Sequence, residues 1–415
     1  MNTSLLKRGF LSLTVAQFFG AANDNLLKTL LVFSVASGGM WYGPLGEGGS
    51  AYVGLCLTIP FILLSGYAGQ LADRYSKQKI SRIVKLAEIG IALIAFLGFF
   101  LGNLWLALSA MLLLAIQSAF FGPAKYGLIP ELVDDKDLCQ ANGFINMSTN
   151  IAVITGTLLA GPVYDSFQGA GGEASGSSAS TIAMLILAVL GWGAILFMPK
   201  MKAMNPKLKF CWNPFSIYFG ALKDMRKTHL LTVAIAWASF YMIGMMALLI
   251  LPEYKDLLGI TATKASYLMG IMGLAIGIGS VMAGFMSRKK IQPKLIPLGA
   301  AGMTVFFALL GVMQPEFKMV AVFIAGAGVF AGFYIIPLQA LLQKLSPDGE
   351  RGRFLGTANA LSFACSTIGS LVFLLARAEF GMAPNRVFLI CAGLAFLGTT
   401  VLLWMLTRLV RQKVI

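Results

Sequence analysis

The chain has 415 residues, of which 58% are hydrophobic and only 12% charged, and its mean hydropathy is +0.80. Soluble domains carry about 25% charged residues, so this composition excludes a soluble globular protein and points to a polytopic helical membrane protein. The net charge of +15 would suit nucleic-acid binding, but its distribution along the chain says otherwise.

Apolar runs of about 20 residues, enough to cross ~30 Å of hydrocarbon as a helix, recur twelve times. They lie near 10–36, 51–72, 83–101, 104–123, 139–164, 181–199, 229–251, 265–286, 294–313, 318–341, 354–376 and 385–407. With Met1 inside, 26 of the 32 Lys and Arg fall at cytoplasmic connections and termini, five fall outside, and Lys28 lies within the first span. This positive-inside asymmetry places both termini in the cytoplasm. The basic balance therefore reports topology and attraction to anionic headgroups, not nucleic acid. The five cysteines (Cys56, Cys139, Cys211, Cys365, Cys391) have no CxxC spacing and read as free thiols. Lys7 and Arg8 before an apolar run imitate a secretion signal, but the run is too long and contains Asp24, so it reads as a retained first span.

The first span carries Asn23, Asp24, Asn25 and Lys28 near its middle. An ionised carboxylate at that depth costs on the order of 3 kcal/mol, so such groups line a cavity or pair with each other. Asp24 and Lys28 are four apart and share a face, which allows a pair within the helix. The two asparagines flanking the acid favour the other reading, a site for a polar ligand or a coupling cation, Na+ or H+.

The second span ends in Gly69-x-Leu71-Ala72-Asp73-Arg74, followed by Lys77 and Lys79. This resembles the loop between spans two and three of the major facilitator superfamily, with Ser76 where that motif has its second glycine. The resemblance implies twelve transmembrane helices in two pseudo-symmetric six-helix bundles, an all-α membrane fold. It also implies a cytoplasmic latch at Gly69, Asp73 and Arg74 that favours an outward-open state. A small residue such as Gly69 lets two helices approach, and Asp73 is placed to meet a helix N-terminus or a basic partner. Glu88, within the first turns of the third span, is placed to snorkel toward the interface.

In the fourth span Pro123 removes a backbone donor beside Gly122, so the helix is expected to bend or stop there. Lys125 and Tyr126 then stand at the cytoplasmic lip as gating residues, marking topology or holding a phosphate. The fifth span stacks Asn142, Asn146 and Asn150 on one face. Such amides either glue helices together or line the same cavity as Asp24, and the second reading is taken for Asn142 and Asn146. Residues 168–180 are a flexible linker by composition. Residues 200–228 interleave Lys and Arg with aromatics, and read as a cytoplasmic linker ending in an interfacial helix between bundles 1–199 and 229–415.

The halves repeat. Pro123 to Ala141-Asn142-Gly143 matches Pro337 to Ala358-Asn359-Ala360, and Ala68-Gly69 to Asp73-Arg74 matches Ala283-Gly284 to Ser287-Arg288, where the acid is lost. Parallel six-span repeats around a central cavity are a known transporter architecture. The second half is poorer in buried charge; Gln339, Gln343, Asn359 and Arg377 are its polar exceptions. One polar and one apolar wall suit an amphiphile.

Enzyme chemistry lacks its parts: the only histidine is His229, at the start of span seven, and neither a GxSxG elbow nor a GK[ST] phosphate loop is present. Gly326-Ala-Gly328 reads as packing. Several stretches together resemble the bacterial lysophospholipid transporters. They are Val15 to Asn25, Phe121 to Leu132, Ala141-Asn142-Gly143 and Ala331 to Gln343. The resemblance implies flipping of lysophospholipids, chiefly lysophosphatidylethanolamine, from the outer to the inner leaflet of the bacterial cytoplasmic membrane, by a monomer without cofactor. The 415 residues hold no acyltransferase domain, so a separate acyltransferase is the expected partner. The residues give Asp24, with Asn23 and Asn25, the headgroup ammonium or a coupling cation. Asn142 and Asn146 would take phosphate and glycerol, Asn359 is a further substrate-binding candidate, and Lys28 would bind phosphate when Asp24 is otherwise occupied. The alternative is an ion-coupled transporter of a small amphiphilic solute or drug.

Overall fold

The computed structural model describes residues 5, 7–35, 40–41, 49–169, 178–260, 262–287, 290–313 and 316–411. Most of them are helical, as they must be where no water can satisfy backbone groups. The helices are α1 (Arg8–Val35), α2 (Gly49–Arg74), α3 (Lys77–Phe100), α4 (Leu104–Leu132), α5 (Leu138–Gly169), α6 (Ser178–Leu196) and α7 (Pro214–Arg226). They continue with α8 (Leu230–Leu258), α9 (Ala262–Met286), α10 (Leu295–Val312), α11 (Phe317–Leu345), α12 (Arg351–Ala378) and α13 (Pro384–Arg411). Short 3-10 turns, Asp135–Asp137 and Asp348–Glu350, lead into α5 and α12.

Among the described residues, nine helices are long and apolar enough to cross a membrane. The helix α1 is not one of them, although it has 28 residues, because its polar middle dilutes the apolar run. The apolar stretches Ile182–Leu196 and Pro384–Gly398 are shorter. The break expected at Pro123 does not occur: α4 runs through Pro123 and Pro130 to Leu132. A proline forfeits one rung of the ladder. In a membrane helix the freed groups are satisfied by neighbours, and Pro123, Ala124, Gly127 and Leu128 are all buried. Lys125 and Tyr126 are therefore helical, not part of a loop.

The chain forms two compact units. Unit 1 comprises 1–132, 151–218 and 348–360; unit 2 comprises 133–150, 219–347 and 361–415. Within unit 1, α1 packs on α2, α4 and α6, α4 packs on α2 and α3, and α3 packs on α6. Within unit 2, α8 packs on α9, α11 and α13, α11 packs on α9 and α10, and α10 packs on α13. The two packing schemes are the same, helix for helix, which is the physical form of the internal repeat. The units also trade segments: α5 begins in unit 2 and ends in unit 1, and α12 does the reverse.

Candidate functional site

The polar residues of α1 face two helices that bring polar groups of their own. Asn23 and Glu88 are fully buried, and Lys85 is 2% exposed. Glu88 Oε1 accepts from Asn23 Nδ2 at 3.1 Å. Its Oε2 accepts from Lys85 Nζ at 2.6 Å and from Gln117 Nε2 at 3.2 Å. Three donors on α1, α3 and α4 thus converge on one carboxylate, as a buried anion requires. Room for the ammonium comes from Gly20, where a Cβ would lie 2.0 Å from Lys85 Nζ. The ammonium also sits 5.0 Å from the Phe121 ring centroid.

Asp24 is joined to this cluster through α4. Ser118 Oγ lies 2.9 Å from Asp24 Oδ2 and 3.1 Å from Gln117 Oε1. Its single proton can serve one of these acceptors at a time. Gln117 is oriented by Val84 O, which accepts from its Nε2 at 3.1 Å. Asp24 Oδ1 and Asn23 Oδ1 are both out of solvent and have no hydrogen-bond partner among the described residues. An unmet buried acceptor costs about 1–3 kcal/mol, so this corner has capacity for a donor or a cation. Lys28 Nζ donates to Asn25 Oδ1 at 2.7 Å, and Asn25 Nδ2 donates back to Ala21 O.

Glu88 does not snorkel: it is the centre of the cluster. Lys85, counted by sequence among the cytoplasmic charges, is its partner, and Gln117 and Ser118 complete the cluster. Lys85-x-x-Glu88, an i,i+3 pair in an apolar helix, was the available signal.

The latch residues lie at a second place in unit 1, where α2 meets the start of α12. Asp73 Oδ1 accepts from the Gly352 N–H at 2.6 Å and Oδ2 from the Arg353 N–H at 2.8 Å. The carboxylate caps orphan donors at a helix N-terminus and complements its dipole. A Cβ on Gly69 would fall 2.3 Å from Gly352 O, so the helices touch backbone to backbone. Asn359 Nδ2 donates to Ser65 Oγ at 3.0 Å one step further along. Arg74 lies over the Tyr75 ring at 5.6 Å, and Lys125 over Tyr126 at 4.4 Å.

Unit 2 repeats this contact between α9 and the start of α5. A Cβ on Gly143 would lie 2.5 Å from Ser280 O, and Ser280 Oγ donates to Asn146 Oδ1 at 3.3 Å. By contact, then, the counterpart of Asn359 is Asn146, one turn beyond the Asn142 that the sequence repeat pairs with it. A slip of one turn keeps the same helix face. Ser287, just past α9, is buried, and Arg288, at the position that matches Asp73, lies outside the described residues. Asn142 is fully buried and pairs with Gln343 in both directions, Nδ2 to Oε1 at 2.6 Å and Nε2 to Oδ1 at 3.2 Å. That amide is engaged in joining α5 to α11. Asn150 Nδ2 donates to Asn146 Oδ1 at 2.7 Å.

Unit 2 also has an apolar pocket whose lining includes Phe240, Gly244, Met272, Met303, Phe307 and Phe388.

A helical repeat with an acid-capped glycine latch and buried polar groups within its helices defines a membrane transporter. The chain belongs to the Major Facilitator Superfamily, whose sequence pattern matches residues 9–370 and 233–414. It is similar to the lysophospholipid transporter LplT of Cronobacter sakazakii, at 28% identity over 374 residues, covering 87% of this chain and 85% of that one. The LplT of Yersinia enterocolitica is 28% identical over 371 residues, covering 86% and 83%. Among solved structures, the human organic anion transporter MFSD10 superposes with a TM-score of 0.80 at 12% identity, covering 97% of this chain and all of that one. The chain is thus a multi-pass transporter, and not an enzyme.

Proposed function

We propose that the protein carries lysophospholipids, chiefly lysophosphatidylethanolamine, from the outer to the inner leaflet by alternating access. In this reading it has twelve spans in two six-helix bundles, 1–199 and 229–415, joined by the linker 200–228 with both termini cytoplasmic. The observation that carries the proposal is the unmet acceptor pair Asn23 Oδ1 and Asp24 Oδ1 in an otherwise satisfied buried cluster. A primary ammonium brings donors and positive charge to that corner, with Asn25 and Lys28 beside it for the phosphate. The Met- and Phe-rich second half accommodates the single acyl chain in this reading. The similarity to proteins named as lysophospholipid transporters supports the same substrate class.

Asp73 and Gly69 serve as the gate in this reading, because capping of α12 by Asp73 must break if the two helices part. The test is uptake of labelled lysophosphatidylethanolamine into liposomes holding the purified protein, with the leaflets resolved by an external quencher and with Na+ or pH gradients imposed in turn. Flux above empty liposomes supports the proposal. Binding and transport of cationic dyes without lysolipid flux would point instead to a carrier of small amphiphilic solutes.

A further inference from the structure

The linker before α8 does more than join two halves, because it is fastened along α2. The Asn205 N–H donates to the Asp73 carbonyl at 2.9 Å. Gln70 pairs with the backbone of Cys211 in both directions, Cys211 N to Oε1 at 2.8 Å and Nε2 to Cys211 O at 3.2 Å. The Tyr67 and Phe210 rings stack at 5.8 Å. The last fastening is of another kind. Tyr218 Oη accepts from the Gly66 N–H at 2.9 Å and donates to the Ile62 carbonyl at 2.6 Å. These two groups are four apart, the pair that bond to each other in an α-helix. The Tyr218 hydroxyl thus bridges one turn of α2, which runs unbroken from Gly49 to Arg74. Only glycine admits the ring, since a Cβ at position 66 would lie 2.9 Å from Tyr218 Cε1. Pro60, one turn earlier, removes a backbone donor from the same stretch.

We infer that Tyr218 is a positioning residue for the gate: its hydroxyl ties the linker to the turn of α2 at residues 62–66 that leads to Gly69 and Asp73. The inference rests on the gating role proposed above for Asp73. So fastened, α2 from Gly66 to Arg74 and the linker from Asn205 to Tyr218 move as one body. The Asp73 carbonyl binds the linker while its carboxylate binds α12, so the linker acts directly on the latch. Burial raises the Tyr218 phenol above its ordinary value, countered in part by the Gly66 N–H, so the hydroxyl keeps the proton it donates.

The test is hydrogen–deuterium exchange of the full-length protein in detergent without substrate, so that its outcome stands apart from any transport assay. In Tyr218→Phe the linker loses its tie to α2, so the Asn205 and Cys211 amides, which donate to α2, should exchange about three- to tenfold faster, the worth of one net hydrogen bond. Gly66→Ala, which expels the ring by a separate route, should do the same. Asp73→Asn should speed exchange at residues 352–360, and by a smaller factor in the Tyr218→Phe background. In transport, Tyr218→Phe should lower the turnover rate and leave KM unchanged. Unchanged or slower exchange of the linker amides at 205–218 in both linker-site variants would overturn the inference. So would an Asp73→Asn effect of equal size in both backgrounds.

Discussion

Replacing Lys85 with Met should be among the most damaging single changes in unit 1. Lys85 and Glu88 are 2% and 0% exposed and 2.6 Å apart, so removing the ammonium leaves a carboxylate with only the amides of Asn23 and Gln117. Losing one partner of a buried pair costs about 3–5 kcal/mol. Glu88→Gln strands the ammonium in turn and leaves it against the Phe121 ring, an attraction worth about 1–2 kcal/mol; a loss of about 3 kcal/mol is expected. The double variant Lys85→Met/Glu88→Gln removes both charges and keeps the amides, and neutral replacement of a whole buried pair costs little. It should therefore be more stable than either single, with a coupling energy of about 3 kcal/mol, at the upper end for contacting residues. Equilibrium unfolding in mixed bicelles, titrated with SDS and followed by tryptophan fluorescence, measures all three. Single variants costing under about 1 kcal/mol, or a double equal to their sum, would refute the claim that Glu88 is an ionised, buried hub.

Other consequences are more local. Gly69→Val, with its Cβ 2.3 Å from Gly352 O, should part α2 from α12 and slow turnover more than Asp73→Asn. The latter loses about 1–2 kcal/mol of capping, and cysteine accessibility at residues 352–360 reports both. Gly244 lines the unit 2 cavity, and a Cβ there meets open space. Gly244→Leu should displace about two methylenes of an acyl chain, ~1.6 kcal/mol, raising KM about tenfold for long-chain lysolipids and sparing short ones. Asn142→Ala takes two hydrogen bonds from Gln343 and should cost about 1–3 kcal/mol of stability with KM unchanged; a KM effect instead would place Asn142 at the substrate.

Legibility followed the strength of each physical signal. Hydrocarbon thickness imposes run lengths, so helix positions could be read directly, apart from α4, where Pro123 was tolerated because the freed turn is buried. The motif at Gly69 and Asp73 was readable because a close approach and a helix cap each demand a residue type. Charge placement was the weaker guide. Lys85 and Lys77 resemble topology markers, yet both are buried in ion pairs, Lys77 with Glu131 at 2.6 Å. Sequence distance from a loop says nothing about which side of a helix faces its neighbours. The asparagine ladder on α5 was ambiguous for the same reason: glue and ligand donor are one residue type, and only the Gln343 amide opposite Asn142 separates them. Tyr218 could not have been found, because its role depends on where the linker lies.

The account converges on Asp24, tied to α4 through Ser118 and left with one oxygen unmet. The measurement that bears on it most directly is leaflet-resolved uptake of labelled lysophosphatidylethanolamine by reconstituted wild type and Asp24→Ala at matched protein density. Loss of most of the flux in the variant, with intact folding, is the predicted result. Flux equal to wild type would remove Asp24 from the mechanism and contradict the proposal.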